Sequence, residues 1–309
     1  MDVRVLRYFL TVAQEENITR AAEVLYTTQS NLSRQLAQLE KELGKKLFHR
    51  GSRTITLTED GMFLRKRAQE IVTLVDRTEA ELVATDDTIS GQVSIGAAET
   101  HAMRLVADGM RTLQQTHPQI RFDLFSGSTV EVTDGLNKGL FDFGILVEPV
   151  NLDRYAYLRL PITDVFGLVM RTDNALAQLD AIRPSDLNGQ PLLVAHQQLD
   201  SNVFAGWLGE NAQTLHIVAT FNLITTPVMM VQAGLGSAFT FDRPVNTTTD
   251  SDICFRPLTP RIETGLVLAW QKSQAFSKAA RAFLQQMQTT FATTSGRADD
   301  NDPPAAEPN

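Results

Sequence analysis

Between Thr27 and Gly44 the chain reads Thr-Thr-Gln-Ser-Asn-Leu-Ser-Arg-Gln-Leu-Ala-Gln-Leu-Glu-Lys-Glu-Leu-Gly, and this stretch limits what can be built around it. Thr28 is a natural N-cap, with a hydroxyl able to accept from a free amide of the first helical turn. Gly44 stops the helix, and Glu40, Lys41, Glu42 and the leucines between are strong helix formers. Leu32, Leu36, Leu39 and Leu43 are spaced four, three and four apart. At about 100° per residue they fall on one narrow apolar stripe. The opposite arc carries Ser30, Asn31, Arg34, Ala37, Gln38 and Lys41, with Glu40 and Glu42 only on its flanks. Arg and Gln pair two-pronged with guanine and adenine edges in a major groove, and Ser serves either. Taken alone, such a face is simply solvated. Its neighbours point elsewhere.

Upstream, Asn17 to Leu25 reads as a short helix with caps available at Asn17 and Thr19, and the Ala21-Ala22 pair lets a second helix cross closely. Tyr26-Thr27 gives a brief turn, so the two helices form a helix-turn-helix. Downstream, Lys45 to Thr58 alternates apolar and polar residues around a Gly51-Ser52 tip. It reads as a small hairpin wing carrying Arg50 and Arg53 toward phosphates or a minor groove. These pieces resemble the LysR-type transcriptional regulators. The matching segments are Arg7-Tyr8-Phe9, Ala21-Ala22 with Leu25, Thr28-Gln29 with Leu32-Ser33-Arg34-Gln35-Leu36, Leu39-Glu40 with Leu43-Gly44, Leu47-Phe48 with Arg50, and Leu57-Thr58 with Gly61. Six in order within 61 residues are specific where any one is weak. Proline and alanine are frequent in the family where this chain has Ser30 and Asn31, a departure that bears on which bases are read. The expected DNA-binding set is Thr28, Gln29, Ser30, Asn31, Ser33, Arg34, Gln38, Arg50 and Arg53.

Charge supports a head that touches phosphate. Residues 1–67 hold 12 Lys/Arg against 8 Asp/Glu, and the remainder 16 against 28, so the total of −8 hides a basic head on an acidic body. That asymmetry suits a protein meeting nucleic acid at one end only. With 309 residues the chain exceeds one core and suggests two or three units. Neither an 18-residue apolar run nor a secretory pattern is found, so a cytoplasmic location is expected and a membrane is not. Cys254 is the lone cysteine and reads as a core thiol.

Residues 2–15 form a first helix that backs the two-helix motif. After the wing, Thr58-Glu59-Asp60 caps a long helix running to about Val83, with a heptad seam at Leu64, Ala68, Ile71, Val75, Thr78 and Leu82. A solitary helix of about 37 Å needs a partner for that stripe, and the simplest is the same helix of a second copy. The resemblance implies a homodimer through this helix, a homotetramer built from it, and leaves RNA polymerase open as a further partner. A polar hinge follows from Ala84 to Gly91.

Beyond it, short strands alternate with helices, which argues for parallel sheets and right-handed crossovers. Strands are expected at Val93–Gly96, Ile120–Phe125, Phe143–Val147, Val165–Met170, Leu192–Ala195, Ile217–Thr220 and Ser237–Phe241. The fold class is therefore α+β multidomain. A winged helix-turn-helix covers 1–58, and a linker helix and hinge cover 59–90. Lobe I is 91–161 with 266–290, lobe II is 162–265, and 291–309 is a tail too polar and proline-rich to fold. The two α/β lobes resemble the family's effector-binding domain, itself similar to periplasmic solute-binding proteins.

Ligands of open parallel sheets sit beyond the carboxyl ends of strands, near helix starts. Those positions hold Glu99 and Thr100, then Ser126, Ser128 and Thr129, and in the second lobe His196, Gln197 and Asn222. Thr100 and Thr129 match family pocket positions by register. Hydroxyls and free amides suit a carboxylate, whereas Glu99 opposes one if it points inward. His101, His117, His196 and His216 are scattered without metal-ligand spacing, so neither a metal nor a cofactor is expected. The sequence has no Gly-Lys-Ser/Thr loop, Gly-x-Ser-x-Gly or paired-carboxylate constellation, and no enzyme is expected. The function read is sequence-specific DNA binding switched by a small-molecule effector between two lobes. The alternative is a solute-binding or metabolite-sensing module without direct gene control.

Overall fold

The computed structural model describes residues 1–51, 54–83, 89–199, 202–242 and 252–298. They fall into two compact units, Met1–Ala84 and Thr85–Asn309.

The first unit opens with α1 (Val3–Glu15), capped by the Asp2 carboxylate, and α2 (Ile18–Val24), capped by Asn17 Oδ1. The turn after α2 is sharp because Tyr26 takes φ +50°, a left-handed backbone that costs a residue with a Cβ about 1 kcal/mol. The amide of Thr27 then bonds back to the Ala22 carbonyl at 2.9 Å. The third helix, α3 (Gln29–Leu43), begins at the expected Thr28 cap and ends at Gly44 with φ +65°. Leu32, Leu36 and Leu39 are buried, each worth roughly 1.5–3 kcal/mol. Leu43, the last member of the stripe, remains 40% exposed. The wing consists of β1 (Phe48–Arg50) paired antiparallel with β2 (Ile55–Leu57). Phe48 packs on Phe9 with ring centroids 5.2 Å apart.

Glu40 is buried at the joint between α3 and the wing. Its Oε1 accepts from the amide of Leu47 at 2.8 Å and that of Phe48 at 3.4 Å, and its Oε2 meets the Lys46 ammonium at 3.2 Å. Helix α4 (Glu59–Val83) follows, with Gly61 approaching the wing so closely that a Cβ would lie 2.1 Å from the Leu47 carbonyl oxygen. Leu64, Ala68 and Val72 of α4 are buried in the same core as α1 and the wing, and Ile71 packs against it. The first half of the heptad seam is thus covered by its own head, which sequence reasoning had given wholly to a second copy. Thr78 and Leu82 near its end are exposed.

The second unit carries a nine-stranded mixed sheet. In chain order its elements are β3 (Gly91–Ala97), α5 (Met103–Thr116), β4 (Ile120–Ser126), α6 (Thr129–Asn137), β5 (Phe143–Val147) and β6 (Tyr155–Arg171). Then come β7 (Pro191–Ala195), α7 (His196–Leu199), α8 (Asn202–Leu208), β8 (His216–Phe221), α9 (Thr225–Gln232), β9 (Ser237–Phe241), β10 (Ile253–Pro257), β11 (Glu263–Gln271) and α10 (Lys278–Ala298). The strand order is β4-β3-β5-β11-β6-β9-β7-β8, with β10 also on β6. The outer strands pair parallel, as the alternation predicts. The middle is antiparallel, because β6 pairs with β11 over its first part and with β9 and β10 over its second. One core gathers around β3, β5, β11, α5 and α10, another around β7, β9 and α8. The fold is two lobes hung on one 17-residue strand.

The end of the chain differs from the reading. Helix α10 runs to Ala298, and Phe291 is buried in the first lobe's core beside Met287. Residues 291–298 are therefore helical, because a helix already anchored by Phe283 and Met287 gains one more buried aromatic by continuing. The rest of the expected tail lies outside the described residues.

The Glu40 contacts make a testable joint. Burial pushes its carboxyl up, but the amides of Leu47 and Phe48 and the Lys46 ammonium outweigh this and hold it below its ordinary value. Glu40→Ala strands two buried amides and is expected to cost the head about 2 kcal/mol. Since the folded carboxyl titrates low, its stabilisation is present above the unfolded-state pKa and is lost as the pH falls through the folded value. Calorimetric unfolding of wild type and Glu40→Gln should therefore differ at neutral pH and converge on acidification.

Candidate functional site

Two surfaces bear the candidate functional side chains, one on each unit. On the first, Gln29, Ser30, Arg34 and Gln38 stand exposed on α3, while Asn31 and Ser33 are half-buried. The Thr28 hydroxyl accepts from the Asn31 amide at 3.3 Å and meets Ser30 Oγ at 3.2 Å, which fixes the first turn. Asn31 Nδ2 donates to Thr27 Oγ1 at 3.0 Å, and Arg34 Nη2 donates to Asn31 Oδ1 at 3.2 Å. Asn31 thus braces the guanidinium from behind. Gln38 Nε2 donates to Glu42 Oε1 at 3.3 Å. Arg50 lies on the backbone of β1, and Arg53 lies outside the described residues. Tyr26 was missed by sequence reasoning: its side chain is 98% exposed at the turn before α3. The signal was an aromatic at a helix-turn-helix corner, where no apolar neighbour could cover it.

On the second unit a cavity of about 670 Å³ opens between the lobes. Strand ends build it as the crevice rule requires. Six of the eight expected effector residues line it: Glu99, Ser128, Thr129, His196, Gln197 and Asn222. Two do not. The Thr100 hydroxyl is turned away and donates to the buried carboxylate of Asp164, and Thr100 is itself buried. Ser126 is exposed at the end of β4, outside the lining.

The lining is already cross-linked. Glu99 Oε2 accepts from the Ile224 amide at 2.7 Å and its Oε1 from the Thr225 hydroxyl at 2.8 Å. The carboxylate of one lobe thereby caps α9 of the other. The Thr129 amide donates to Gln197 Oε1 at 3.5 Å across the same gap. Ser128 and Glu131 form a capping box at the start of α6, with the Ser128 amide donating to Glu131 Oε2 at 2.8 Å. Gln198, missed in the sequence, is buried and accepts from the Ala195 amide at 3.2 Å. Phe166, Phe204, Phe221, Phe239 and Phe241 supply apolar wall. A smaller pocket lies near the lobe crossing, lined by His101, Arg104, Asp164 and Asp242 among others.

Among the described residues no group of three or more His, Cys, Asp or Glu could hold a metal, and no helix is long and apolar enough to cross a membrane. Cys254 is half-buried on β10, where burial pushes its thiol up and away from the reactive thiolate.

The same two units stand out in comparison with known proteins. Residues 3–62 match the family described as bacterial regulatory helix-turn-helix protein, lysR family, and residues 86–292 match the LysR substrate binding domain. The Hca operon transcriptional activator HcaR of Escherichia coli is 28% identical over 300 residues, covering 95% of this chain and 99% of that one. The regulator BenM of Acinetobacter baylyi is 33% identical over 144 residues, 47% of each chain. The crystal structure of full-length CbnR with its target DNA superposes with a TM-score of 0.71 at 18% identity, covering 94% of this chain and all of that one. That last likeness concerns the fold.

The Thr100–Asp164 contact yields an expectation opposite to that of a ligand-binding hydroxyl. Burial pushes the Asp164 carboxyl up, the Thr100 hydroxyl pulls it down, and Asp242 pushes it up again, for a net rise above its ordinary value. Thr100→Val removes a donor to a buried carboxylate and should cost roughly 1–3 kcal/mol of stability. A raised carboxyl favours folding on the acid side, and that contribution is lost as pH rises through the folded pKa. The cost of Thr100→Val should accordingly be largest at neutral pH and shrink on acidification, read by thermal unfolding at a series of pH values.

Proposed function

The chain belongs to the LysR family of bacterial transcriptional regulators, and from that membership we propose how its residues divide the work. The head reads DNA with the outer face of α3, entering the major groove with Gln29, Ser30, Arg34 and Gln38. The observation that carries this is the bracing of Arg34 by Asn31, which presents a guanidinium from an exposed face. A pre-positioned Arg suits the two acceptors of a guanine edge. Asn31 and Ser33, half-buried, act mainly by holding that face, and Thr28 acts as its cap. Arg50 and Arg53 serve the phosphates or minor groove beside the wing.

The second unit binds a small-molecule effector between lobe I (residues 91–161 with 266–290) and lobe II (residues 162–265). A cavity of about 670 Å³ with apolar walls and a few convergent polar groups fits a metabolite. The contacting set is Glu99, Ser128, Thr129, His196, Gln197 and Asn222. On this reading the protein acts in the cytoplasm as a regulator rather than as a catalyst. Two copies join along the later part of α4, where Leu82 is 81% exposed, and present two heads to paired half-sites. That the CbnR structure was solved on its target DNA supports the DNA half of this reading.

Selection of genomic fragments followed by operator titration, with and without a metabolite panel, tests the whole. Arg34→Ala should lose about 1–3 kcal/mol on the selected operator and little on random DNA. Equal losses on both would relocate the reading face. Leu82→Asp should halve the particle in sedimentation and weaken operator binding together. An unchanged particle would remove α4 from the interface.

A further inference from the structure

We propose that the cleft selects an organic ammonium: a positively charged nitrogen carried on a one-ring or comparably sized apolar body, with Glu99 as its counter-ion. This rests on the reading of the cleft as the effector site and specifies what that site accepts.

The argument begins with the donors a carboxylate ligand would need. At the crevice of an α/β sheet these are the free amides and hydroxyls of helix starts. Here several of them are already engaged by the protein's own acceptors. At α9 the Ile224 amide and the Thr225 hydroxyl both go to Glu99. At α6 the Ser128 amide goes to Glu131, and the Thr129 amide faces Gln197. A carboxylate effector would have to displace Glu99 or Glu131 to gain the donors those two side chains hold.

Charge points the same way. Four glutamates line the cavity, and among the described residues no Lys or Arg does. Two of the four are neutralised from outside the lining: Glu148 by Arg159 at 2.8 Å and Glu263 by Arg261 at 2.5 Å. Glu99 and Glu131 are held only by amides and hydroxyls, with no cation against them among the described residues. An anion entering this space meets two carboxylates without a paired cation, Glu99 half-buried and Glu131 exposed, and like charges repel more strongly where water is partly excluded. A cation meets the reverse. Each carboxylate oxygen of Glu99 accepts one bond so far, and a carboxylate offers about four lone-pair sites. An ammonium can therefore be added without breaking the tie to α9.

The apolar body follows from the walls. Phe166, Phe204, Phe221, Phe239 and Phe241 line one cavity, and aromatic faces attract a desolvated cation besides covering a hydrocarbon skeleton. A bare inorganic cation would leave those rings facing water. An ammonium on a ring uses both features.

Calorimetric titration of the full-length protein with three matched probes tests the assignment: phenethylammonium, 2-phenylethanol and phenylacetate. They share a ring and differ in the charged end. Wild type should bind the ammonium at least tenfold more tightly than the alcohol, and the acid no better than the alcohol. Glu99→Gln should cut ammonium affinity at least tenfold and leave the alcohol unchanged. Ala195→Phe, which fills the cleft, should abolish every response. If phenylacetate bound most tightly, the charge assignment would be overturned while the cleft stood. An ammonium preference that survived Glu99→Gln would overturn the counter-ion. Binding that survived Ala195→Phe would lie outside the cleft and reject both. Silence from all three probes rejects this ligand class, and the operator titrations with metabolites then decide separately whether the cleft binds anything. Melting curves for both variants show that they fold.

Discussion

Strand β6 is the constraint on which the second unit depends. Its 17 residues span both lobes, bonded to β11 in one and to β9 and β10 in the other. A strand cannot donate from Pro161, yet the sheet tolerates that residue between its two pairing regions, where β11 also shifts register between Gly265 and Val267. Just beyond, Val165 and Asp242 exchange bonds at 2.8 Å in both directions, and the buried Asp164 receives the Thr100 hydroxyl. The crossing is therefore a polar joint inside an otherwise apolar sheet. Because the lobes share strands rather than a loose loop, the cleft between them has fixed walls at its base. Adjustment is left to the contacts at its mouth.

Those contacts explain why the sequence was legible in some places and silent in others. The head could be read because its signals are local: the Thr28 cap, the Gly44 stop and the three buried leucines all lie within one helix. Helix starts in the second unit were legible for the same reason, and six of the expected cleft residues do face the cavity. Thr100 was misassigned because the choice between cleft and Asp164 depends on a residue 64 positions away. Glu40 looked like a helix flank, since the amides it serves belong to the wing several residues on. The aromatic walls were hidden in a different sense. A phenylalanine on a strand looks the same whether it packs into a core or borders a cavity, and only the presence of a second lobe decides.

The antiparallel middle of the sheet was concealed by the same non-local logic. Alternating strands and helices signal parallel pairing, and β3, β4 and β5, like β7, β8 and β9, obey. Nothing in that pattern reveals that β11 runs against β5 and β6 against β9, or that β6 belongs to both lobes. Helix α10 beyond Met287 is a milder case. Composition near the end of the chain is polar, but Phe291 finds the first lobe's core, and burial of one aromatic outweighs several residues of weak propensity.

The cross-cleft bonds bear on how a bound effector would be felt. Glu99 joins the loop after β3 to the start of α9, so it ties the two lobes directly across the cleft. Hydrogen bonds to a charged group contribute about 1.5–3 kcal/mol each, which is comparable to the whole coupling energy of a typical allosteric switch, about 1–3 kcal/mol. A ligand that displaced Glu99 would spend most of its binding energy replacing those bonds. A ligand that adds to Glu99 keeps them and gains from the lobes staying together. The second arrangement shifts the population toward the closed cleft using only the ligand's own differential affinity, as any such shift must. On the ammonium reading, then, the effector strengthens an existing tie between lobes rather than breaking one. The sign of that effect follows from which oxygen sites of a single carboxylate are still open.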